Sequence, residues 1–351
     1  VTVSTDQVVR DYAARQGELD RERAVVTKLK GDASSRSYYR VSEGERSFVV
    51  MVMPPEANRS EEVSKGAAPA ELPFLNVHRY LNGLGVRVPR IYNYDEPAGL
   101  MLLEDLGDLT FEAALTPQNR EDLYGRAVDL LAKLRAHADA RKDPGCLAFT
   151  RAFDRDLYRW ELDHFYIWGL VVRTGRQPTT GEREVLDHAF DRISTQLDAL
   201  PRGFTHRDYQ SRNLMVTHGD IVVIDFQDAL QGPRQYDLVA LLRDSYVELD
   251  RPFVERMVRR YVDRLSELGA NPGDPQEFLR TFDLLTIQRK LKDGGRFVFI
   301  DRVKQNPGFL PSIPASFRYV RDALPSHPEY ARFAEILGRY VPEISRAGSG
   351  G

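Results

Sequence analysis

The sequence predicts an α+β protein in two lobes: a small lobe made of an antiparallel sheet with one helix, then a larger, mainly helical lobe. Three observations predict it. Up to residue 105, five short runs rich in β-branched and aromatic residues are punctuated by turn residues, with one helical stretch after the third. Beyond Gly107 the apolar residues recur mostly at helical spacing. A pair of short strands interrupts that helical texture between Leu214 and Asp225.

The elements follow in order. The polar opening "VTVSTDQVVRDYAARQ" reads as a helix without a signal-peptide core. "RAVVTKLK" (23–30) is a strand and "GDASSRS" (31–37) a turn. "YYRVSEGERSFVVMVMPPE" (38–56) is two strands about a Glu-Gly turn, ended by Pro54 and Pro55. "PAELPFLNVHRYLNGLGV" (69–86) is a helix with Phe74, Leu75, Val77, Leu81 and Leu84 apolar, and "RIYNYD" and "GLMLLED" are two more strands. "LEDLG" (103–107) is the hinge, so the lobes are expected at 1–105 and 106–346, with 347–351 a flexible tail. The second lobe opens with a helix carrying Leu123, Ala127, Leu130, Leu131 and Leu134 on one face, with Thr116 as N-cap and Pro117 in its first turn. Further helices are expected over 151–172, 180–199, 236–268 and 276–303.

The composition bounds the function. The 351 residues are 42% hydrophobic and 29% charged, an ordinary globular balance. Lys and Arg number 49 against 52 Asp and Glu, a net charge of −3, which gives no reason to expect a nucleic-acid partner. No apolar run approaches the roughly 20 residues that span a bilayer, so no membrane partner is expected. The single cysteine, Cys146, cannot form an internal disulfide, which favours a reducing, cytoplasmic setting, with a monomer as the default state.

The segments "FTHRDYQSRNLMV" (204–216) and "DFQDALQGPRQYDL" (225–238) carry the chemistry. Moving the γ-phosphoryl of ATP to a hydroxyl needs a carboxylate to orient the hydroxyl and take its proton. It also needs Mg²⁺, held by a few protein oxygens that leave room for phosphate. In the His-x-Asp-x-x-x-x-Asn pattern Asp208 is the candidate base and Asn213 a candidate metal ligand. Asp225, at the end of "IVVID", is the candidate main Mg²⁺ ligand, and the hairpin between it and Asn213 returns both to one edge. Asp228 is a second candidate for the metal or for a substrate hydroxyl.

The chain resembles the aminoglycoside-phosphotransferase branch of the protein-kinase-like superfamily, and within it the anomeric amino-sugar kinases of cell-wall recycling. The resemblance rests on "GDASSRSYYRV", "MLLEDLGDLT", "THRDYQSRNLMV", "VVIDFQDALQGPRQYDLVALLRD" and "IQRKLKDGGRF", spread over about residues 28–300. It implies a protein-kinase-like two-lobe fold and an ATP- and Mg²⁺-dependent kinase acting on C1 of N-acetylmuramate or N-acetylglucosamine. His206 is then a structural residue of the catalytic loop, and Asp237 the buried carboxylate that opens a helix beneath it. Only 12 residues separate Asp225 from Asp237, too few for a protein kinase's activation segment, so Arg207 is left to meet substrate or Asp237. An aminoglycoside or choline-like acceptor is the alternative substrate, and a catalytically inactive nucleotide-binding module the alternative class.

The third strand departs from the kinase pattern. Met51 or Met53 stands where a phosphate-binding Lys is expected, and the following helix offers no partner Glu. Arg36 and Arg40 are the replacement candidates, Arg40 favoured if strand alternation turns it inward. The turn at Ser34 and Ser35 offers backbone N–H groups to phosphate, and backbone groups near Glu104 and Leu106 offer an edge to adenine. Glu161, His164 and Trp168, with Trp160, Phe165, Tyr166 and Asp163, fit either a sugar-binding wall or a packed core. Arg289, Lys292 and Arg296 fit either a site for a sugar carboxylate or a solvated face.

Overall fold

The chain, seen in a computed structural model, is described here over residues 4–29, 36–53 and 71–345. It divides into two compact units, Val1–Ala114 with Leu214–Asp228, and Leu115–Asn213 with Ala229–Gly351. The expected boundary at 105/106 is thus displaced to Ala114, and the 214–228 segment joins the first unit.

In the first unit, helix α1 (Thr5–Gly17) is started by Ser4, whose side chain accepts the Gln7 amide. Strands β1 (Val25–Lys28), β2 (Ser37–Glu43) and β3 (Arg46–Val52) follow, then helix α2 (Pro73–Gly83), strands β4 (Ile91–Asp95) and β5 (Leu100–Glu104), and the short helix α3 (Phe111–Ala114). The strands form one antiparallel sheet in the order β1-β2-β3-β5-β4. Period-two alternation sorts its faces. Tyr39, Val41, Val50, Leu100 and Leu102 pack with Val9, Tyr12 and Ala13 of α1. Tyr38, Arg40, Val49, Met51, Met101 and Leu103 therefore occupy the opposite face.

The second unit opens with α4 (Arg120–Ala140), three residues later than Pro117 predicts. Thr116 makes the expected capping bonds one turn ahead of the regular helix: its hydroxyl accepts the Asn119 amide, Asn119 Oδ1 accepts the Thr116 amide, and the Arg120 amide bonds the Thr116 carbonyl. Helix α5 (Arg155–His164), capped by Asp154, runs into a π-helical stretch, Phe165–Val172, and α6 (Thr180–Asp198) starts in a capping box of Thr179 and Glu182. Strand β6 (Arg202–Thr205) leads into the catalytic-loop motif. The hairpin β7 (Leu214–Thr217) and β8 (Asp220–Val223) then returns to the first unit. There the Val216 amide bonds Leu109 and the Val223 amide bonds Arg87. Strand β9 (Leu230–Pro233) pairs back with β6.

The remainder is helical: α7 (Tyr236–Leu242), α8 (Arg251–Glu267), α9 (Pro275–Lys304), α10 (Ile313–Ala323) and α11 (Ala331–Tyr340). The expected single helix over 236–268 is broken because Asp250 starts α8 with its own cap and Pro252 occupies the first turn. Among the described residues no helix is long and apolar enough to cross a membrane.

The π-helical stretch and α9 approach backbone to backbone. A Cβ on Gly295 would lie 2.7 Å from the Phe165 Cα, and one on Gly169 would lie 3.2 Å from the Gly295 Cα. At an exposed helical site Gly→Ala gains about 1 kcal/mol of propensity. Here the obstacle is main chain, so Gly295→Ala should destabilise the protein by roughly 1–3 kcal/mol, readable as a lower urea midpoint.

Candidate active site

The second unit holds the catalytic loop at fixed points. The buried Asp237 carboxylate accepts the His206 amide at 2.7 Å and the Arg207 amide at 2.9 Å. Burial raises the Asp237 pKa, and the two amides act against that rise. Asp244 accepts the Ser211 amide at 2.8 Å, and the buried Tyr209 hydroxyl donates to the Ala127 carbonyl. The fully buried His206 ring accepts the Asp208 amide through Nδ1 at 3.3 Å. Arg207 takes a left-handed φ of 82°, a conformation that costs energy in a non-glycine residue and that the Asp237 bonds hold.

So anchored, the loop leaves the Asp208 side chain 34% exposed. Asn213 Nδ2 donates to the Asp208 carbonyl at 3.0 Å, which fixes the orientation of the amide. Arg289 donates to the Asp208 carboxylate at 3.2 Å and to the Arg207 carbonyl at 2.8 Å. Burial pushes the Asp208 pKa up, but Arg289, Lys292 and Arg207 together hold it below the ordinary value. The carboxylate is therefore an anion at neutral pH, able to accept a hydroxyl's hydrogen bond.

These contacts correct two expectations. Arg289 is 1% exposed and stacked over Tyr236, so it positions Asp208 and does not receive a solvent-borne carboxylate. Arg207 is likewise buried. Its amide, not a side chain offered to substrate, is what reaches Asp237.

The expected sugar wall splits. Glu161 is buried and accepts a hydrogen bond from Gln288 Nε2 at 2.6 Å. His164 and Trp168 project elsewhere, against Phe299 at ring distances of 5.2 Å each. Phe299 lies ten residues beyond Arg289 on α9, about 15 Å along the helix.

In the first unit, β8 ends at Val223, so Asp225 stands beyond the strand, exposed, with φ 62°. Buried Phe226 anchors the turn against Phe74 (4.9 Å) and His78 (6.1 Å) of α2. Gln227 Nε2 donates to Asp225 Oδ1 at 2.9 Å and Asp228 Oδ2 at 3.3 Å, which groups the two carboxylates. An anchored neighbour and a left-handed backbone together turn the Asp225 carboxylate outward.

Met51 is fully buried and Met53 nearly so, so neither position supplies a cation. Arg40 does lie on the face that alternation predicts, but both edges of its guanidinium are taken. Asp105 accepts at 2.7 and 3.0 Å and Asp108 at 2.9 Å twice. Arg36 is placed differently. It hydrogen-bonds the Tyr38 hydroxyl, whose pKa is raised by burial, lowered by the Arg36 charge and raised by that of Asp225. Both the Arg36 and the Asp225 charges are thus felt at one hydroxyl. The Glu104 amide is spent on the Arg90 carbonyl at 2.9 Å and its side chain on Arg87, which removes Glu104 as an adenine donor. Among the described residues no hydrogen bond engages the Leu106 backbone. Ser34 and Ser35 lie outside the described residues.

Sequence reasoning missed Tyr236, on which Arg289 stacks, Gln288 against Glu161, the Lys290–Asp293 pair on α9, and the carboxylates that hold Arg40. The alternation of charge in "RKLKD" was the available signal for Lys290 and Asp293.

The sequence family described as the phosphotransferase enzyme family (APH) matches residues 25–270. The chain is 35% identical to an N-acetylmuramate/N-acetylglucosamine kinase of Pseudomonas aeruginosa over 90% of its own length and 88% of the relative's. It is 31% identical to the like-named kinase of Neisseria meningitidis, over 89% and 91% of the two chains. A solved choline kinase from Cryptosporidium parvum shares the fold, with a TM-score of 0.62 at 12% identity over 97% of this chain and 99% of that one.

Proposed function

We propose, for a chain that belongs to the APH phosphotransferase family, that it transfers the γ-phosphoryl of ATP to the anomeric hydroxyl of N-acetylmuramate or N-acetylglucosamine. The observation that carries this reading is the extent of likeness to two kinases of those sugars, over about nine-tenths of both chains. The fixed, ionised Asp208 supports it as chemistry, since a sugar hydroxyl needs an acceptor for its proton. The lone buried Cys146 fits a cytoplasmic setting.

In this reading Asp208 accepts the hydroxyl proton. Asn213 and the outward Asp225 would hold Mg²⁺ through their side-chain oxygens, and Asp228, grouped with Asp225 by Gln227, is a further candidate. Two protein oxygens suit an ion that keeps most of its positions for phosphate and water. When bound, Mg²⁺ neutralises charge on the phosphates. Leu106 offers N–H and C=O to adenine, and the 34–35 turn offers amides to phosphate. Arg36 is the phosphate-binding cation.

Arg36→Ala should therefore raise the KM for ATP and lower kcat/KM about 10- to 100-fold, the equivalent of roughly 1.5–3 kcal/mol for a hydrogen bond to a charged group. Arg40→Ala should do less, because Arg40 is spent on Asp105 and Asp108. The reverse order in steady-state kinetics would return the phosphate role to Arg40. The function itself is tested by ATP consumption over a panel of sugars with choline and an aminoglycoside added. Turnover confined to the N-acetyl amino sugars is expected, and turnover of choline or the aminoglycoside alone would refute the assignment.

A further inference from the structure

Lys292 is a nearly buried cation whose local partners do not satisfy it. Its side chain is 12% exposed, and its one close anion is Asp293 Oδ1, 3.5 Å away, beyond hydrogen-bond distance. The other Asp293 oxygen is taken by Lys290 at 2.7 Å, and Lys290 also donates to Ser245 at 3.0 Å. An ammonium carries three donors, and those of Lys292 remain able to meet a further acceptor. Burial works against the Lys292 charge, yet the oxygens of Tyr236 and Asp293 hold its pKa well above the usual lysine value. The position is specific. Lys292 lies three residues after Arg289, which touches Asp208, so it shares that face of α9 about 4.5 Å further along.

We propose that Lys292 receives the oxygens of the phosphoryl group in transit beside Asp208. This rests on the kinase reading above. Wherever the nucleotide's base is held, the group transferred must pass within reach of the hydroxyl that Asp208 deprotonates. In the step, a lone pair of the acceptor oxygen forms the bond to Pγ. The bond from Pγ to the β–γ bridging oxygen breaks, its pair leaving with ADP, and the hydroxyl proton passes to Asp208. Lys292 forms no covalent bond; it faces the negative oxygens of the phosphoryl group while both bonds are partial. With Arg40 held by two carboxylates and β3 lacking a lysine, this cation comes from α9, far in sequence from the catalytic loop. A sugar carboxylate is a weaker fit, because it projects from the ring away from the reacting anomeric hydroxyl.

The test compares Lys292→Met, Lys292→Gln and Lys292→Arg with the wild type, on the sugar the wild type turns over best. The Met and Gln variants should lose about 10²–10³ in kcat, the scale of removing one donor to developing charge, with both KM values little changed. Arg should recover part of the loss. Aluminium fluoride, a mimic of the phosphoryl in transit, should tighten ADP binding to the wild type but not to the Met or Gln variants, which bind ADP alone normally. A structural lysine would not separate those two affinities. Wild-type kcat in a folded Met or Gln variant, or equal tightening by aluminium fluoride, would overturn the proposal. So would a loss confined to N-acetylmuramate, which would assign Lys292 to the lactyl carboxylate. If the wild type accepts neither sugar, the sugar assignment fails, and the ADP–aluminium fluoride comparison still decides the role of Lys292.

Discussion

Asp208→Asn should lower kcat by about 10² to 10⁴, the worth of a positioned general base, while ATP binds as before. The substitution keeps shape and can still meet Arg289, so the loop should stay in place. What it removes is the negative charge that Arg289, Lys292 and Arg207 maintain against burial. An amide cannot take the hydroxyl proton, and its N–H atoms would face the Arg289 donors unless it turned its oxygen toward them. Steady-state kinetics with ATP and the preferred sugar, alongside ATP titration, check this. Unchanged kcat in a folded variant would remove Asp208 from the reaction.

Asp225→Ala should abolish the gain in ATP affinity that Mg²⁺ brings and leave turnover near background. Asp225 is the exposed carboxylate that the turn after β8 aims outward, and its φ of 62° is held by Phe226 packing on α2. Alanine deletes the ligand and retains an unfavourable backbone conformation, so Asp225→Asn is the control: it tolerates that φ but carries no charge. Calorimetric ATP titrations with and without Mg²⁺ read the effect. A Mg²⁺-dependent gain that survives in Asp225→Ala would move the metal to other ligands, with Asp228 first among them.

The parts that were legible in the sequence are those set by short-range periods and turns. Strand alternation placed Tyr39 and Val41 under α1 and Arg40 on the other face. The spacing from His206 to Asn213 fixed a loop, and Asp237 and Asp244 bind its amides as a carboxylate beneath such a loop must. What sequence could not show was pairing at long range. Arg40 is captured by carboxylates 65 and 68 residues away, and no local pattern reveals that. Arg289 and Lys292 read equally well as a solvated basic face, because i, i+3 spacing defines a helix face without saying what covers it. Thr116 was legible as a cap, since its hydroxyl and the Asn119 amide are brought together within one turn, but the regular helix starts only at Arg120. Glu161 and Trp168 seemed one wall because a helix was assumed straight through 172; they lie on different faces, one against Gln288 and the other against Phe299.

The central claim is phosphoryl transfer to the anomeric oxygen of an N-acetyl amino sugar. The most direct measurement is the phosphorus NMR spectrum of the product formed from ATP and N-acetylmuramate or N-acetylglucosamine. A 1-phosphate is coupled to the single anomeric proton, so the account predicts a doublet that collapses when that proton is decoupled. A phosphorus signal coupled to two methylene protons, the mark of a 6-phosphate, or the release of inorganic phosphate alone, would contradict it.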